Sequence, residues 1–160
     1  MSYKLIILAP STGGKSTLTR NLREHAGLHI AETDEEVMKA NNNTWPDDKL
    51  KNEVLVPQTT KEIISLGSVI YFASYLPDNM IIQARDKGFK IILLKLNLDV
   101  LIQRNNERMN VENYQDATPW FKMQLDNFNH LYAKGLIDIT IDGEQSVEKL
   151  TKQIADLAAE

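Results

Sequence analysis

Five short apolar runs are spaced along the chain and predict five β-strands. The first run holds residues 5 to 8 (LIIL) without polar alternation, a pattern typical of a strand buried on both faces of a sheet. The predicted strands are Lys4–Ala9, Leu28–Ala31, Ser68–Tyr75, Phe89–Leu96 and Ile137–Ile141.

Amphipathic stretches with helical spacing separate these runs. The stripe of Leu18, Leu22 and Ala26 predicts a helix from Lys15 that stops at Gly27. Further helices are predicted from Thr33, over Asp47–Leu66 with a break or kink at Pro57, over Asn79–Lys87, over Asp99–Met109, from Thr118 to about Lys134, and from Ser146. The alternation of strands and helices predicts an α/β fold: a parallel sheet in a three-layer α/β/α sandwich, with ligands bound at the carboxyl ends of the strands.

Two of the predicted helices begin with capping signals. Thr33 and Glu36 have the spacing of a capping box. Thr118 precedes Pro119, which favours Thr118 as the N-cap and proline as the first helical residue.

Composition narrows the class of protein. The 160 residues are 42% hydrophobic and 25% charged, as expected of one globular domain over residues 1–160. There is no cysteine, so disulfides and thiol chemistry are excluded. No apolar run approaches the length of a membrane span and the N-terminus has no signal-peptide pattern, which predicts a cytoplasmic protein with no membrane partner. The net charge of −4 argues against a general polynucleotide binder.

A phosphate-binding loop lies between the first strand and the first helix. The segment APSTGGKST, residues 9 to 17, follows the pattern G-x-x-x-x-G-K-[ST], except that Ala9 replaces the first glycine. In this motif Lys15 neutralises the β- and γ-phosphates of a nucleotide and the Ser16 hydroxyl holds Mg²⁺. The predicted nucleotide-binding residues of the loop are Thr12, Gly13, Gly14, Lys15, Ser16 and Thr17. The predicted cofactors are ATP and Mg²⁺.

Two carboxylates follow the second strand, Glu32 and Asp34. If that strand is near the first, Asp34 can accept a proton from an acceptor hydroxyl, or either carboxylate can hold Mg²⁺ through water. The alternatives are a helix N-cap for Asp34 and a solvated strand end for Glu32.

Arg104 and Arg108 lie four residues apart after the fourth strand and share a helix face. Two guanidiniums at this spacing can clamp triphosphate oxygens and stabilise a phosphoryl group in transfer, and Arg104 is also a predicted nucleotide contact. The alternative is a pair of surface arginines that bind Glu107 or Asp99. Residues 104 to 118 are the predicted lid, with the mobile part at 110 to 118.

The acceptor is predicted to bind near Asp34, in the helical segment of residues 34 to 66. Trp45 can stack on a base or a sugar there, or anchor a loop to the core. Tyr75 stands at the carboxyl end of the third strand and is the other predicted pocket residue.

These motifs together resemble the small P-loop kinases, a group that includes shikimate, gluconate and adenylate kinases. The resemblance rests on APSTGGKST, on Glu32-Thr33-Asp34, and on the run LxxRxxxR from Leu101 to Arg108. It implies a five-stranded parallel sheet of order 2-3-1-4-5, a nucleotide-binding core, an acceptor segment after strand two, and a lid.

The chain departs from the kinases that it resembles on the acceptor side. Glu32-Thr33-Asp34 stands where shikimate kinases have Asp-x-Asp, and no arginine occurs between Arg23 and Arg85. Shikimate is therefore disfavoured as the acceptor. Nucleoside monophosphates are disfavoured too, unless Lys49, Lys51 or Arg85 takes the arginine's place.

The sequence thus predicts an ATP-dependent phosphotransferase acting on a hydroxyl or phosphate of a small molecule or nucleotide. A polynucleotide 5′-hydroxyl kinase is an alternative enzyme, disfavoured by the lack of arginine in residues 24 to 84. An ATP-binding regulator, or a slow ATPase with no acceptor, is an alternative from another class. The preference for ATP over GTP and the oligomeric state are left open.

Overall fold

The computed structural model describes residues 2–12, 14–24, 27–111 and 115–160. Three sets of predictions lie outside these ranges: Gly13 as a nucleotide contact, Ala26 on the first helical stripe, and residues 112–114 within the predicted lid.

The five strands form one parallel sheet of order β2-β3-β1-β4-β5, which confirms the predicted fold. The first strand pairs with β3 on one side and β4 on the other, with Ile6 opposite both Tyr71 and Ile91. The strands are β1 (Lys4–Leu8), β2 (Ile30–Glu32), β3 (Val69–Ala73), β4 (Lys90–Lys95) and β5 (Ile139–Asp142).

Helices fill both faces of the sheet. They are α1 (Lys15–Arg23), α2 (Thr33–Ala40), α3 (Asp48–Leu50), a π-helical segment (Lys51–Leu55), α4 (Val56–Ile64), α5 (Asp78–Asp86), α6 (Leu98–Val111), α7 (Thr118–Ala133) and α8 (Val147–Ala159). No helix in the described part of the chain is both long enough and apolar enough to cross a membrane.

Alternate residues of the central strand belong to two separate cores. Ile6 and Leu8 pack with residues of α2, α4, α5 and α7, whereas Leu5 and Ile7 pack with residues of α1, α6 and α8. This division follows from the twofold periodicity of a strand, which sends successive side chains to opposite faces. An apolar run without alternation therefore predicts a strand covered on both sides, as observed.

The helix break predicted near Pro57 is a π-helical turn just before it. The N–H of Val56 bonds to the carbonyl of Lys51, five residues back. Pro57 has no N–H and cannot continue the α-helical ladder, so a local change of hydrogen bonding is expected at this point.

Both predicted caps are wrong in detail. Thr33 lies inside α2, and its Oγ1 donates to the carbonyl of Phe72 at 3.0 Å instead of capping the helix. Thr118 is the first residue of α7. The carboxylate of Asp116 accepts from both the N–H and the hydroxyl of Thr118, at 3.0 and 2.7 Å. The carboxylate of Asp116 therefore caps the start of α7, a role that the sequence predicts for Thr118.

The buried hydroxyl of Tyr71 joins β3 to the acceptor segment. It lies 3.1 Å from the hydroxyl of Thr33 and 3.1 Å from that of Thr60. We expect Tyr71→Phe to lower the free energy of unfolding by about 1–2 kcal/mol, because the buried hydroxyls of Thr33 and Thr60 each lose the hydrogen bond to Tyr71. Urea unfolding of this variant beside Tyr132→Phe, a change at an exposed tyrosine, tests the effect. Equal stabilities of the two variants would contradict it.

Candidate active site

The predicted phosphate loop connects the buried end of β1 to the start of α1. Ala9 is fully buried, keeps a negative φ, and donates its N–H to the carbonyl of Ala73 at 3.0 Å. It therefore extends the sheet by one residue, in a conformation that any L-residue adopts. The alanine in place of the motif's first glycine is compatible with the loop.

Gly14 has a structural reason to be glycine. It adopts φ +89° at the N-cap of α1, a conformation that side chains disfavour. A Cβ built on Gly14 would lie 3.9 Å from Nη1 of Arg104. The guanidinium of Arg104 therefore lies close to Gly14 of the loop, and its role as a phosphate clamp stays a prediction.

Lys15 is folded back against the loop. Its Nζ donates to the carbonyls of Pro10 and Ala9, at 3.2 and 3.4 Å. Burial lowers the pKa of Lys15, while the negative charges of Asp34 and Glu32 oppose that shift. The positive charge of Arg108 lowers the pKa of Lys15 further. The structure thus brings the loop lysine, both carboxylates and Arg108 into one electrostatic neighbourhood.

The two carboxylates after β2 have different surroundings. Glu32 is only 7% exposed, and burial raises its pKa, with the charge of Asp34 adding to the rise and Lys15 opposing it. The solvated strand end considered for Glu32 is therefore wrong. Asp34 has a half-exposed side chain and lies within the first turn of α2, whose N-cap position is Glu32. The alternative of Asp34 as the N-cap is also wrong.

Lys51 joins Asp34 to Trp45 on the acceptor side. Its Nζ lies 3.5 Å from Oδ1 of Asp34 and 4.7 Å from the centroid of the Trp45 ring. Half of the Trp45 surface remains exposed. We call Asp34, Lys51 and Trp45 the acceptor cluster. Its ion pair and cation–π contact hold a carboxylate, an ammonium and an aromatic face together.

Tyr75 lies two residues beyond the end of β3 and is 39% exposed. No hydrogen bond or ion pair connects it to the acceptor cluster, all of whose residues are described. Its assignment to the pocket stays a prediction.

The predicted lid begins as helix. The α6 helix runs to Val111, two residues beyond its predicted end, so residues 104–111 are helical. Buried Asn105 connects α6 to the segment before α7: its Nδ2 donates to Asp116 at 2.9 Å and its Oδ1 accepts from the N–H of Ala117 at 2.8 Å.

Three residues near the site were not identified from the sequence as site residues. They are Lys51, which the sequence shows only as a lysine of the acceptor segment, and Asn105 and Gln124, which belong to no motif. Gln124 binds Ser11 of the loop through both atoms of its amide, at 2.8 and 2.9 Å. A signal was present for Gln124, which occupies the inward stripe of α7 together with Phe121 and Phe128. A polar residue on an apolar stripe requires a partner.

The residues at the loop fit a magnesium site in which phosphate oxygens and water supply most of the ligands. Mg²⁺ in such sites takes few protein ligands and keeps water and phosphate oxygens. The described residues contain no group of three or more His, Cys, Asp or Glu side chains that would form a closed metal cage. Ser16, exposed in the first turn of α1, and the carboxylates of Glu32 and Asp34 supply hard oxygen ligands of the right type.

Comparison with known proteins identifies the fold. No family model matches the chain, and no curated protein matches it. Shikimate kinase from Acinetobacter baumannii, solved with shikimate, superposes with a TM-score of 0.72 at 17% identity, over 98% of this chain and 93% of that one. The chain has the fold of the small P-loop kinases.

Other solved structures with this fold have different names. A gluconokinase from Sinorhizobium meliloti 1021 gives a TM-score of 0.67 at 15% identity, over 98% of this chain and 94% of that one. The Deinococcus radiodurans tunicamycin resistance protein gives 0.65 at 18% identity, over 98% and 95%. Proteins with different names thus share this fold, so an acceptor for this chain must be argued from its own site.

Proposed function

We propose that the protein is an ATP-dependent phosphotransferase that moves the γ-phosphate to a hydroxyl or phosphate group of a small-molecule or nucleotide acceptor. The observation that carries this proposal is the convergence of two half-sites on Lys15. On the donor side, Arg104 approaches Gly14 of the phosphate loop that carries Lys15. On the acceptor side, Asp34 and Lys51 of the acceptor cluster are near enough to Lys15 to affect its pKa, and they are 3.5 Å from each other.

On the donor side, the backbone N–H groups of residues 12–17 and the N-terminus of α1 favour bound phosphate oxygens. Lys15 turns from the carbonyls of Ala9 and Pro10 to the β- and γ-phosphates, which are far stronger partners for an ammonium. Arg104 and Arg108 stabilise the negative charge on the phosphoryl group. Ser16, with Glu32 or Asp34 through water, would hold Mg²⁺, which neutralises the phosphate oxygens.

On the acceptor side, Asp34 orients a hydroxyl and takes its proton. The acceptor oxygen then forms a bond to the γ-phosphorus as the bond from that phosphorus to the β–γ bridging oxygen breaks, and ADP leaves. Asp34 suits this role because it is half exposed and close to the loop. Lys51 would pair with an anionic group of the acceptor, and the exposed face of Trp45 would stack on its ring or sugar.

The experiment that tests the proposal is ATP turnover with and without a panel of acceptors. The panel contains nucleosides, nucleotides, sugar acids, polyols and oligonucleotides with 5′-hydroxyl ends. We expect ADP formation to be stimulated by a member of the first four classes. Stimulation by oligonucleotides alone would support a polynucleotide kinase instead. Hydrolysis that no acceptor changes would overturn the phosphotransferase proposal in favour of a slow ATPase or a regulator.

Lys51→Met is expected to raise the KM for the acceptor about tenfold or more and to leave the affinity for ATP within about twofold. The substitution keeps the length of the side chain but removes the charge that would bind the acceptor, and a lost charged hydrogen bond has an effect of this size. The measurement is steady-state kinetics at saturating ATP with the acceptor found in the panel. Lys61→Met, at an exposed lysine of α4 that was not predicted to bind the acceptor, is the matched control. Equal KM values for the two variants would exclude Lys51 from the acceptor site.

A further inference from the structure

The phosphate loop is fastened to α7 through one side chain. The N–H of Ser11 donates to Oε1 of Gln124 at 2.8 Å, and Nε2 of Gln124 donates to Oγ of Ser11 at 2.9 Å. The two residues are 113 positions apart in the chain. This pair of hydrogen bonds therefore connects the nucleotide-binding loop to a helix that carries none of the predicted site residues.

The amide of Gln124 is committed to this contact. Gln124 is only 4% exposed and lies on the buried stripe of α7, between Phe121 and Phe128. Burying a primary amide is unfavourable unless its donor and acceptor are both used. Ser11 uses both, through its backbone and its hydroxyl.

The neighbouring residue shows why the loop needs such a restraint. Thr12 adopts φ +61°, in the left-handed region that a β-branched residue rarely enters. Strained conformations of this kind persist only where the surroundings hold them. The hydroxyl of Thr12 donates to the carbonyl of Leu101 in α6 at 3.3 Å, and Gln124 fixes Ser11 from α7. The loop is thus held at consecutive residues by two different helices.

We propose that Gln124 is a positioning residue for phosphate binding: it fixes Ser11 so that the loop presents its N–H groups to the triphosphate before the nucleotide arrives. Preorganised donors act without a cost of reorganisation, so the contact contributes to affinity for the phosphates. The inference rests on the proposed function only in requiring that the loop binds a nucleoside triphosphate.

The test is nucleotide affinity in Gln124→Met, which keeps the length and approximate volume of the side chain and removes both hydrogen bonds. Isothermal titration with ATP and with magnesium tripolyphosphate, which has no base or sugar, should show an affinity about tenfold weaker for each ligand. A parallel loss for both ligands locates the effect at the phosphates. Unchanged affinity for tripolyphosphate would overturn the inference.

Phe128→Leu is the matched control for a purely structural role. Phe128 is a buried residue one turn further along α7, and its truncation removes core packing without touching the loop. We expect this variant to melt at a lower temperature and to bind both ligands with wild-type affinity. An equal loss of affinity in Phe128→Leu and Gln124→Met would show that general destabilisation of α7, and not the contact with Ser11, is responsible.

Ser11→Ala tests the same contact from the loop, and does so even if Gln124→Met fails to fold. The substitution removes the hydroxyl that accepts from Nε2 of Gln124. We expect it to lower the affinity for ATP and for magnesium tripolyphosphate about threefold. In the Gln124→Met background it should change affinity no further, because the partner is already absent. Wild-type affinity in Ser11→Ala, or full additivity in the double variant, contradicts the inference.

Failure of this inference can be distinguished from failure of the proposed function. If the wild-type protein does not bind ATP, both are overturned. If ATP binding depends on Lys15 but is unchanged in Gln124→Met, only this inference is overturned.

Discussion

Lys15→Ala is expected to weaken ATP binding about 100-fold or more and to abolish the rise in melting temperature that ATP produces in the wild type. Nζ of Lys15 lies against the phosphate loop, where its hydrogen bonds to the carbonyls of Pro10 and Ala9 are long, at 3.2 and 3.4 Å. Losing a charged partner of the phosphates has an effect of at least this size. Thermal unfolding with and without ATP and Mg²⁺ measures the loss directly, because stabilisation follows ligand affinity.

The same substitution should not destabilise the ligand-free protein. Burial lowers the pKa of Lys15, which means that the folded state pays to keep this group charged. Removing the ammonium therefore leaves the melting temperature without ATP equal or higher. Lys149→Ala removes a positive charge from the exposed surface of α8 and is the control for net charge. A retained ATP-induced shift in Lys15→Ala would show that the loop does not bind the triphosphate.

The sheet was predictable from the sequence because its order of elements is encoded locally. Buried strands appear as unbroken apolar runs, and amphipathic helices between them force parallel pairing. The order 2-3-1-4-5 came from the resemblance to P-loop kinases and was confirmed. Boundaries shifted by one or two residues, as for β2, which begins at Ile30 and ends at Glu32.

The site was only partly predictable, because several of its contacts join distant parts of the chain. The spacing of the loop motif is local, so Gly14 and Lys15 could be identified directly. The contact of Ser11 with Gln124 spans 113 residues and has no motif. Arg104 could be selected from its spacing with Arg108, but its approach to Gly14 depends on the packing of α6 and is visible only in the structure.

The caps were mispredicted for a related reason. The hydroxyl of Thr33 could bond either to the first turn of its own helix or to a neighbouring strand. In the structure it donates to the carbonyl of Phe72 in β3. The spacing of residues in the sequence predicts the local helix cap, but it contains no information on a hydrogen bond to another strand. The contacts of Lys51 with Asp34 and Trp45 are likewise tertiary, and no local pattern predicts them.

Asp34→Asn is expected to keep ATP binding and to slow phosphoryl transfer by about 100- to 10,000-fold. The amide retains the size of the side chain and can still contact the acceptor, but it cannot take a proton, and general base catalysis contributes an effect of this range. The measurement is single-turnover transfer at saturating ATP and acceptor, with nucleotide affinity determined separately. The control is Glu36→Gln, which removes the charge of a carboxylate two residues after Asp34 in α2. This variant should transfer phosphate at the wild-type rate.

A titration of Mg²⁺ separates the two roles that Asp34 can have. If Asp34 is the base, the Asp34→Asn rate stays low at every Mg²⁺ concentration. If Asp34 holds the metal through water, the variant requires more Mg²⁺ and recovers when it is supplied, since a lost ligand weakens metal binding without removing the catalytic group. Glu32→Gln should show the second behaviour, because Glu32 is buried beside Lys15 and is less accessible to an acceptor than the half-exposed Asp34. Wild-type transfer by Asp34→Asn would remove Asp34 from both roles and leave Glu32 as the carboxylate of the site.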